Sequence, residues 1–479
     1  MGKYIVIATL FVFSVGNSFA QQANISLQQC FEIAKRNNMT IRQMEQSLVT
    51  REFQQSAAQK NSLPKVDLLG GYTYLGDPIR INLQTVRGGI IEGTAQQNVD
   101  AANKIYQEVT GNNLSQSTQD AIYQGSKNII NGLYPNYNPP LSEQQYFTAG
   151  IDLRMPIYLG GKLKAAKDVA DKSVTSGKLN LQFTQNTINL AITTQYLQIL
   201  YLNSMLASQQ QMLSLFQKTS ENASKLVKNE MIPPYQAHWA NVALKQSETA
   251  LQSFQMEKEN AVLLLQQLLG TDSLFTLNDT IKAVDFAIPE GNKNYAENNI
   301  SYQWLQAKTE EAQSAVKVSK SLSLPNIFGI ANYQFLRKDL PVITPNWMVG
   351  LLFQWNLFSG FENRQHVKAT QSLVEESKLV AEKKKKDLQT EITIAENKIK
   401  SIRNQMNTLD AARKEAAHTT DMIRKRMQNQ LSSVKDVNDA LKVQLEADKA
   451  YYTTVLAYNI AVATYLNITG QINKATHYF

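Results

Sequence analysis

The chain holds one cysteine, Cys30, in 479 residues. An intramolecular disulfide is therefore excluded, and an exported form of this chain must be stable without that staple. Cys30 has no lipobox before it and sits inside a helical pattern, so it reads as a packed thiol rather than an acylated or metal-binding one. Histidine is also scarce. His238, His366, His418 and His477 are scattered over separate helical segments and the C-terminus, with no metal-ligand spacing. No phosphate-binding glycine loop is present, and Cys30 has no evident base. The chain lacks the inventory of an enzyme, and no cofactor or metal is expected. The net charge is only +8 with 18% charged residues, and no basic patch with interleaved aromatics forms, which argues against nucleic acid as a partner. The run Lys383 to Lys386 reads as the solvated face of a long helix. Beyond the N-terminus there is no apolar run long enough for a transmembrane helix.

The most telling absence is of breakers. No glycine or proline lies between Phe361 and Asn467. Within that span Leu388, Ile392, Ala395, Ile399, Ile402, Met406 and Leu409 recur at steps of four and three, which is a coiled-coil seam on one helix face. The only reversal is Asn429-Gln430-Leu431-Ser432-Ser433, where the serine pair can cap a new helix. Val434, Val437, Leu441, Leu445, Tyr452 and Val455 carry the seam back, interrupted by Asp448. The outward leg, at 1.5 Å per residue, spans about 100 Å. No compact globular core needs a helix of that length.

The rest of the chain alternates between two periods. Lys3, the apolar Tyr4–Val15 and the end Asn17-Ser18-Phe19-Ala20 form a signal peptide over residues 1–20, with a mature start near Gln21. A helix capped by Ser26 runs from 26 to 62 and stops at Leu63-Pro64. Residues 65–75 then alternate as a strand, with Val66, Leu68, Gly70, Tyr72 and Tyr74 on one face. The insertion 76–145, rich in Gln, Asn, Ser and Gly, reads as a long surface loop with a short helix around Ala101 to Val109. A second strand over 146–158 puts Phe147, Ala149, Ile151, Leu153, Met155 and Ile157 on one face and Thr148, Asp152 and Arg154 on the other. Asp152 and Arg154 suit the wet lumen of a barrel, but on this strand alone an ordinary half-exposed sheet is the favoured reading. A helical hairpin over 162–270 turns at Glu230-Met231-Ile232-Pro233-Pro234, and 271–297 is a connector with short elements.

The scheme then restarts over 298–470. A helix from about Ile300 ends at Ser323-Leu324-Pro325, strands lie near 326–336 and 346–358 with a loop from Leu340 to Pro345 between them, and the hairpin 361–469 follows before a short tail, 471–479. Trp347, Val349, Leu351, Phe353, Trp355 and Leu357 share a strand face, with aromatics at both ends, as in the girdles of a membrane barrel; Trp347 and Trp355 are the candidate girdle residues. The two halves match in register. Gly360 lies 200 residues after Gly160 and Gly470 lies 200 after Gly270, and the turn Asn229-Glu230 falls on Asn429-Gln430 at the same offset. Such agreement marks an internal duplication. Four strands cannot close a barrel, and lipid does not tolerate open edges. Either the strands form a soluble sheet, or several chains pool them; three chains would give twelve strands.

This order, with Pro-Ile-Tyr-Leu-Gly-Gly at 156–161 echoed by Asn-Leu-Phe-Ser-Gly at 356–360, resembles the TolC family of outer-membrane factors over essentially the whole mature chain. The resemblance implies a homotrimer in the outer membrane of a Gram-negative bacterium. Its fold is mainly α with a small β part: a trimeric α-barrel of long coiled-coil hairpins and a shared 12-stranded antiparallel β-barrel in contact with outer-membrane lipid. It implies a passive exit duct of a tripartite efflux or type I secretion system, partnered by a periplasmic adaptor (membrane fusion protein) and an inner-membrane pump. It places the hairpin tips Asn229, Glu230, Met231, Ile232 and Asn429, Gln430, Leu431, Ser432 at the adaptor-docking end; the glycine common at that tip is replaced by Glu230 and Gln430. Asp436-Val437-Asn438-Asp439-Ala440 is similar to the segment that carries entrance aspartates in some members, which makes Asp436 and Asp439 candidate gate residues. Being three apart, they share one helix face and form stacked carboxylate rings in a trimer; the alternative is a pair of helix-start acids complementing the macrodipole. The first copy has Gln236 and Trp239 there, and Ser432 stands where some members have a basic gate partner. The competing class is a soluble periplasmic coiled-coil scaffold or adaptor, which the long hairpins suit and the outward Trp347, Phe353 and Trp355 do not. A plain diffusion porin leaves the helices without a purpose.

Overall fold

The structure is a computed structural model that describes residues 23–136, 140, 143–289, 295–338 and 345–479. The expected signal peptide and most of the loop at 340–345 lie outside the described residues. The elements run in order β1 (Ala23–Asn24), α1 (Leu27–Asn37), α2 (Met39–Lys60), β2 (Lys65–Tyr74), α3 (Gln84–Thr110), α4 (Gln116–Leu133), β3 (Gln145–Leu159), α5 (Lys162–Lys228), α6 (Pro234–Leu269) and β4 (Phe275–Thr276). The second half continues with α7 (Tyr295–Asn298), α8 (Ile300–Ser321), β5 (Asn326–Lys338), β6 (Trp347–Gln354), α9 (Glu362–Gln428), α10 (Val434–Ile468) and a 3-10 turn at Ile472–His477. Among the described residues two units result: a helical one from 23–59, 164–320 and 361–479, and one from 60–163 and 321–360 that carries the four long strands.

In the helical unit, α5 and α9 each run for 67 residues, about 100 Å at 1.5 Å per residue. The seam expected on α9 is the buried face: Leu388, Ile392, Ala395, Ile399 and Ile402 are all buried, and each large aliphatic among them contributes about 2 kcal/mol of transfer free energy. On α10 the seam residues Val434, Val437, Leu441 and Val455 are buried likewise. Asp448 interrupts it because it meets α5, where its carboxylate accepts a 2.7 Å hydrogen bond from the Ser208 hydroxyl. The connector after α6 lies on the core through Phe275, Leu277, Ile281 and Phe286. Asn203 pins it by donating to the Leu277 and Asp279 carbonyls at 2.7 and 2.8 Å.

The duplication reappears as a pair of matching locks. The first helix, expected unbroken from 26 to 62, breaks at Asn38, which takes an extended conformation. Its side-chain oxygen accepts from Thr40 and Ile41 N–H and caps α2, while its amide donates to the Leu268 carbonyl at 2.7 Å. Asn299, between α7 and α8, accepts from Ser301 N–H and donates to the Ile468 carbonyl at 2.8 Å. Beside each asparagine a glycine ends the hairpin with positive φ, 68° at Gly270 and 75° at Gly470. A Cβ on Gly270 would stand 2.5 Å from the Asn37 carbonyl oxygen, and one on Gly470 would stand 3.0 Å from that of Asn298. Sequence distance hid these contacts, since both join segments hundreds of residues or a whole hairpin apart.

In the strand unit the sheet order is β2-β3-β5-β6, all antiparallel, so β2 and β6 are the two edges. The segment 76–145 corrects the reading of a long surface loop with one short helix: it is a helical hairpin, α3 and α4. Gly111 ends α3 in the left-handed region at φ 70°, and Ser115 caps α4 by accepting from Thr118 N–H. Gly88, Gly89 and Gly93 in α3 and Gly125 and Gly132 in α4 cost about 1 kcal/mol each against alanine, which is why the composition resembled a loop. Strand β6 is also shorter than the expected 346–358, and Trp355 lies one residue past its end. The Trp355 indole N–H donates to the Ser323 carbonyl at 3.2 Å instead of continuing the strand.

Removing either lock leaves a partly buried carbonyl without its donor and an uncapped helix. Asn38→Ala and Asn299→Ala should each lower unfolding stability by about 2 kcal/mol, read by denaturant titration. A loss at one position only would contradict their equivalence.

Candidate channel wall and hairpin tips

Strand pairing builds two unlike faces on the sheet. One face runs across it as Leu68, Ile151, Tyr333 and Trp347 in one row and Val66, Leu153, Ala331 and Val349 in the next. Leu68, Val66, Ile151, Leu153, Tyr333, Trp347, Val349, Leu351 and Phe353 are all exposed. An exposed apolar face of this extent marks a contact surface. On the opposite face Asp67 stands across from Asp152, and Lys65 across from Arg154. Like charges face each other directly, and the diagonals Lys65–Asp152 and Asp67–Arg154 offset the repulsion. Asp152 also accepts a hydrogen bond from the Asn332 amide on β5. Asp152 and Arg154 are thus brought together on the polar face, and Trp347 lies on the apolar one.

Both hairpin tips close by the same backbone motif. Met231 N–H bonds the Leu226 carbonyl and Glu230 N–H bonds that of Val227, each at 2.9 Å; Leu431 bonds Arg426 and Gln430 bonds Met427 at the same distances. These are paired 6→1 and 5→2 bonds, with the residue between the helices in the left-handed region. Glu230 and Gln430 hold that place with φ 59° each. The position suits glycine, so both side chains sit in a strained conformation.

The tips then diverge. In the second, Ser433 and Asp436 form a reciprocal cap: Asp436 N–H donates to the Ser433 hydroxyl at 3.1 Å, and Ser433 N–H donates to the Asp436 carboxylate at 2.8 Å. Those bonds hold the Asp436 carboxyl below the usual carboxylate range, aided by Lys435 and Arg426. The capping contribution is therefore fully present above about pH 4 and is lost as pH falls through the lowered value. Arg426 also donates to the Leu431 carbonyl and the Ser432 hydroxyl. Asp439, one turn on, accepts from Lys435 Nζ at 2.8 Å. In the first tip Pro233 takes the capping place without a side-chain bond, and Pro234 opens α6.

Between α6 and α10, Trp239, Val242, Ala243 and Gln246 face Lys435, Asn438, Asp439 and Lys442 across a groove of about 270 Å³. Trp239 is 56% exposed. The sequence showed Trp239 only as the counterpart of Asp439; an isolated tryptophan beside helix breakers was the signal that could have marked it.

No protein-family model and no curated protein matches the sequence. Solved structures do match. The chain is similar to CusC, described for folding and transmembrane channel formation, at 12% identity and TM-score 0.72, over 94% of this chain and 93% of that one. It is similar to the CmeC outer membrane channel of Campylobacter jejuni at 13% identity and TM-score 0.69, over 98% and 94%. It is similar to the outer membrane protein VceC of Vibrio cholerae at 14% identity and TM-score 0.67, over 92% and 96%. At these identities the likeness is one of fold, and it is the mainly helical fold with a small antiparallel sheet expected from the sequence.

Replacing the strained tip residues tests the turn. Glu230→Gly and Gln430→Gly should each raise stability by up to about 1 kcal/mol in urea unfolding; a loss of stability would contradict the left-handed assignment.

Proposed function

We propose that this chain is the outer-membrane channel of an export assembly: a passive duct that carries cargo delivered from a pump, through an adaptor, to the outside. The observation that carries the reading is the exposed apolar face of a four-stranded sheet whose two edges have no strand partner among the described residues, in the same chain as two 100 Å helical hairpins. Open edges and an apolar face are both resolved when three chains close a twelve-stranded barrel in lipid. The fold shared with outer-membrane channels supports the same reading. In this reading Asp152 and Arg154 line the lumen. Trp347 and Trp355, eight residues apart and about 26 Å along an extended chain, mark the two edges of the lipid band. The helices form the periplasmic tunnel, and the tips 229–232 and 429–432, with the Trp239 groove, receive the adaptor. No catalytic step is assigned to the chain. A soluble scaffold would leave the apolar sheet face in water.

Asp436 and Asp439 are the proposed entrance carboxylates, with unequal freedom. Asp436 is committed to the cap of α10, whereas Asp439 pairs with Lys435 on its own helix. In a planar bilayer the purified protein should give cation-selective single-channel currents. Asp439→Asn should reduce the selectivity without loosening the tip, and Asp436→Asn, Asp439→Asn together should reduce it further and raise the conductance. Anion-selective currents in the unaltered protein would refute the carboxylate entrance, and folded, bilayer-inserted protein with no current under any voltage would refute the duct.

A further inference from the structure

The helical hairpin inserted between β2 and β3 is built as a rigid extension of the sheet. Leu75 N–H bonds the Gln144 carbonyl at 2.6 Å, Arg80 bridges to Pro140, and Gln84 donates to the Asn136 side chain at 3.0 Å. Arg87 then reaches across to the Asn131 and Tyr134 carbonyls at the base of α4. Inside the hairpin the core is small: Ile91, Ala95 and Ile130, with Tyr123 against them. More apolar surface lies outside it than within.

Near the sheet that outer surface is one-sided. At 100° per residue, Val86 and Ile90 on α3 project to the same side of the antiparallel pair as Ile129 and Leu133 on α4. All four are exposed, Val86 at 59%, Ile129 at 68% and Leu133 at 71%. The other side carries the ion pair Glu92–Lys127 at 3.4 Å, with Lys127 Nζ 5.6 Å from the Tyr123 ring centre. Over the turns nearest the sheet the hairpin thus has an apolar side and a charged side; further along α3, Lys104 and Glu108, each eighteen residues beyond Val86 and Ile90, take up the same directions, and Ile105, Tyr106 and Val109 are exposed towards its end.

Resting on the trimeric channel reading above, we propose that three such hairpins, one from each chain, meet apolar side inward on the threefold axis and form a six-helix cap over the outer mouth. The occupant of the apolar side is another copy of this chain for two reasons. The hairpin springs directly from β2, an edge strand whose free edge another copy must pair, so copies flank its base. Under threefold symmetry, three identical one-sided surfaces bury one another only by facing the axis.

Disulfide-length crosslinking tests this on the full-length protein in detergent. Cys30 is buried, and burial pushes its thiol up to about 12, so it stays unreactive at neutral pH and an introduced cysteine is the only target. Ile129→Cys and, separately, Ile90→Cys should shift from monomer to covalent dimer bands on denaturing gels when treated with a short bifunctional maleimide. Glu92→Cys, on the charged side, should remain monomeric on the gel. Light scattering of the same samples reads the assembly independently. A trimer by mass in which Ile129→Cys and Ile90→Cys accept a monofunctional maleimide yet never crosslink would overturn the cap and leave the channel standing. A monomer by mass would overturn both.

Discussion

Every part of this chain answers to unpaired backbone at the edges of one small sheet. Strands β2 and β6 each present a row of N–H and C=O groups with no strand partner among the described residues. In water such edges invite aggregation, and in lipid each unpaired group costs several kcal/mol. The face beside them is apolar and exposed, so water is the worse solvent for it. Closure with further copies satisfies both demands at once. Under the trimeric closure proposed above, two hairpins per chain give six hairpins in the assembly.

Duplication explains how one chain comes to carry two strand pairs and two long hairpins. Each half delivers two strands and one hairpin, and each half is closed by an asparagine that caps a helix and holds the end of its own hairpin. The glycines beside them take a left-handed backbone, and at Gly270 the Asn37 carbonyl also passes too close for a side chain. The tips, by contrast, have drifted apart. One is stiffened by two prolines, the other by the Ser433–Asp436 cap and Arg426. The two tips are therefore unlike, with Trp239 on one side of the groove between α6 and α10 and a Lys435–Asp439 pair on the other.

Periodicity made the long elements legible. The seam from Leu388 to Ile402 lies buried as its spacing requires, because nothing but packing competes with a repeated apolar stripe. Strand faces were legible for the same reason, down to the opposite placement of Asp152 and Trp347. Two kinds of feature were not. The break at Asn38 depends on the Leu268 carbonyl, which no local pattern can reveal. The hairpin of α3 and α4 was hidden by its glycines and amides, whose propensities oppose a helix that tertiary context nevertheless forms. At the tips, the left-handed turn survives without glycine, so residue type understated the conservation of backbone shape between the two copies.

The most direct test of the account is the mass of the detergent-solubilised protein, measured by light scattering with the detergent contribution subtracted. Three chains per particle is the predicted result, since the sheet edges leave no other closure compatible with twelve strands. A stable, folded particle containing a single chain would contradict the account, because it would mean that the open edges and apolar face are tolerated without partners.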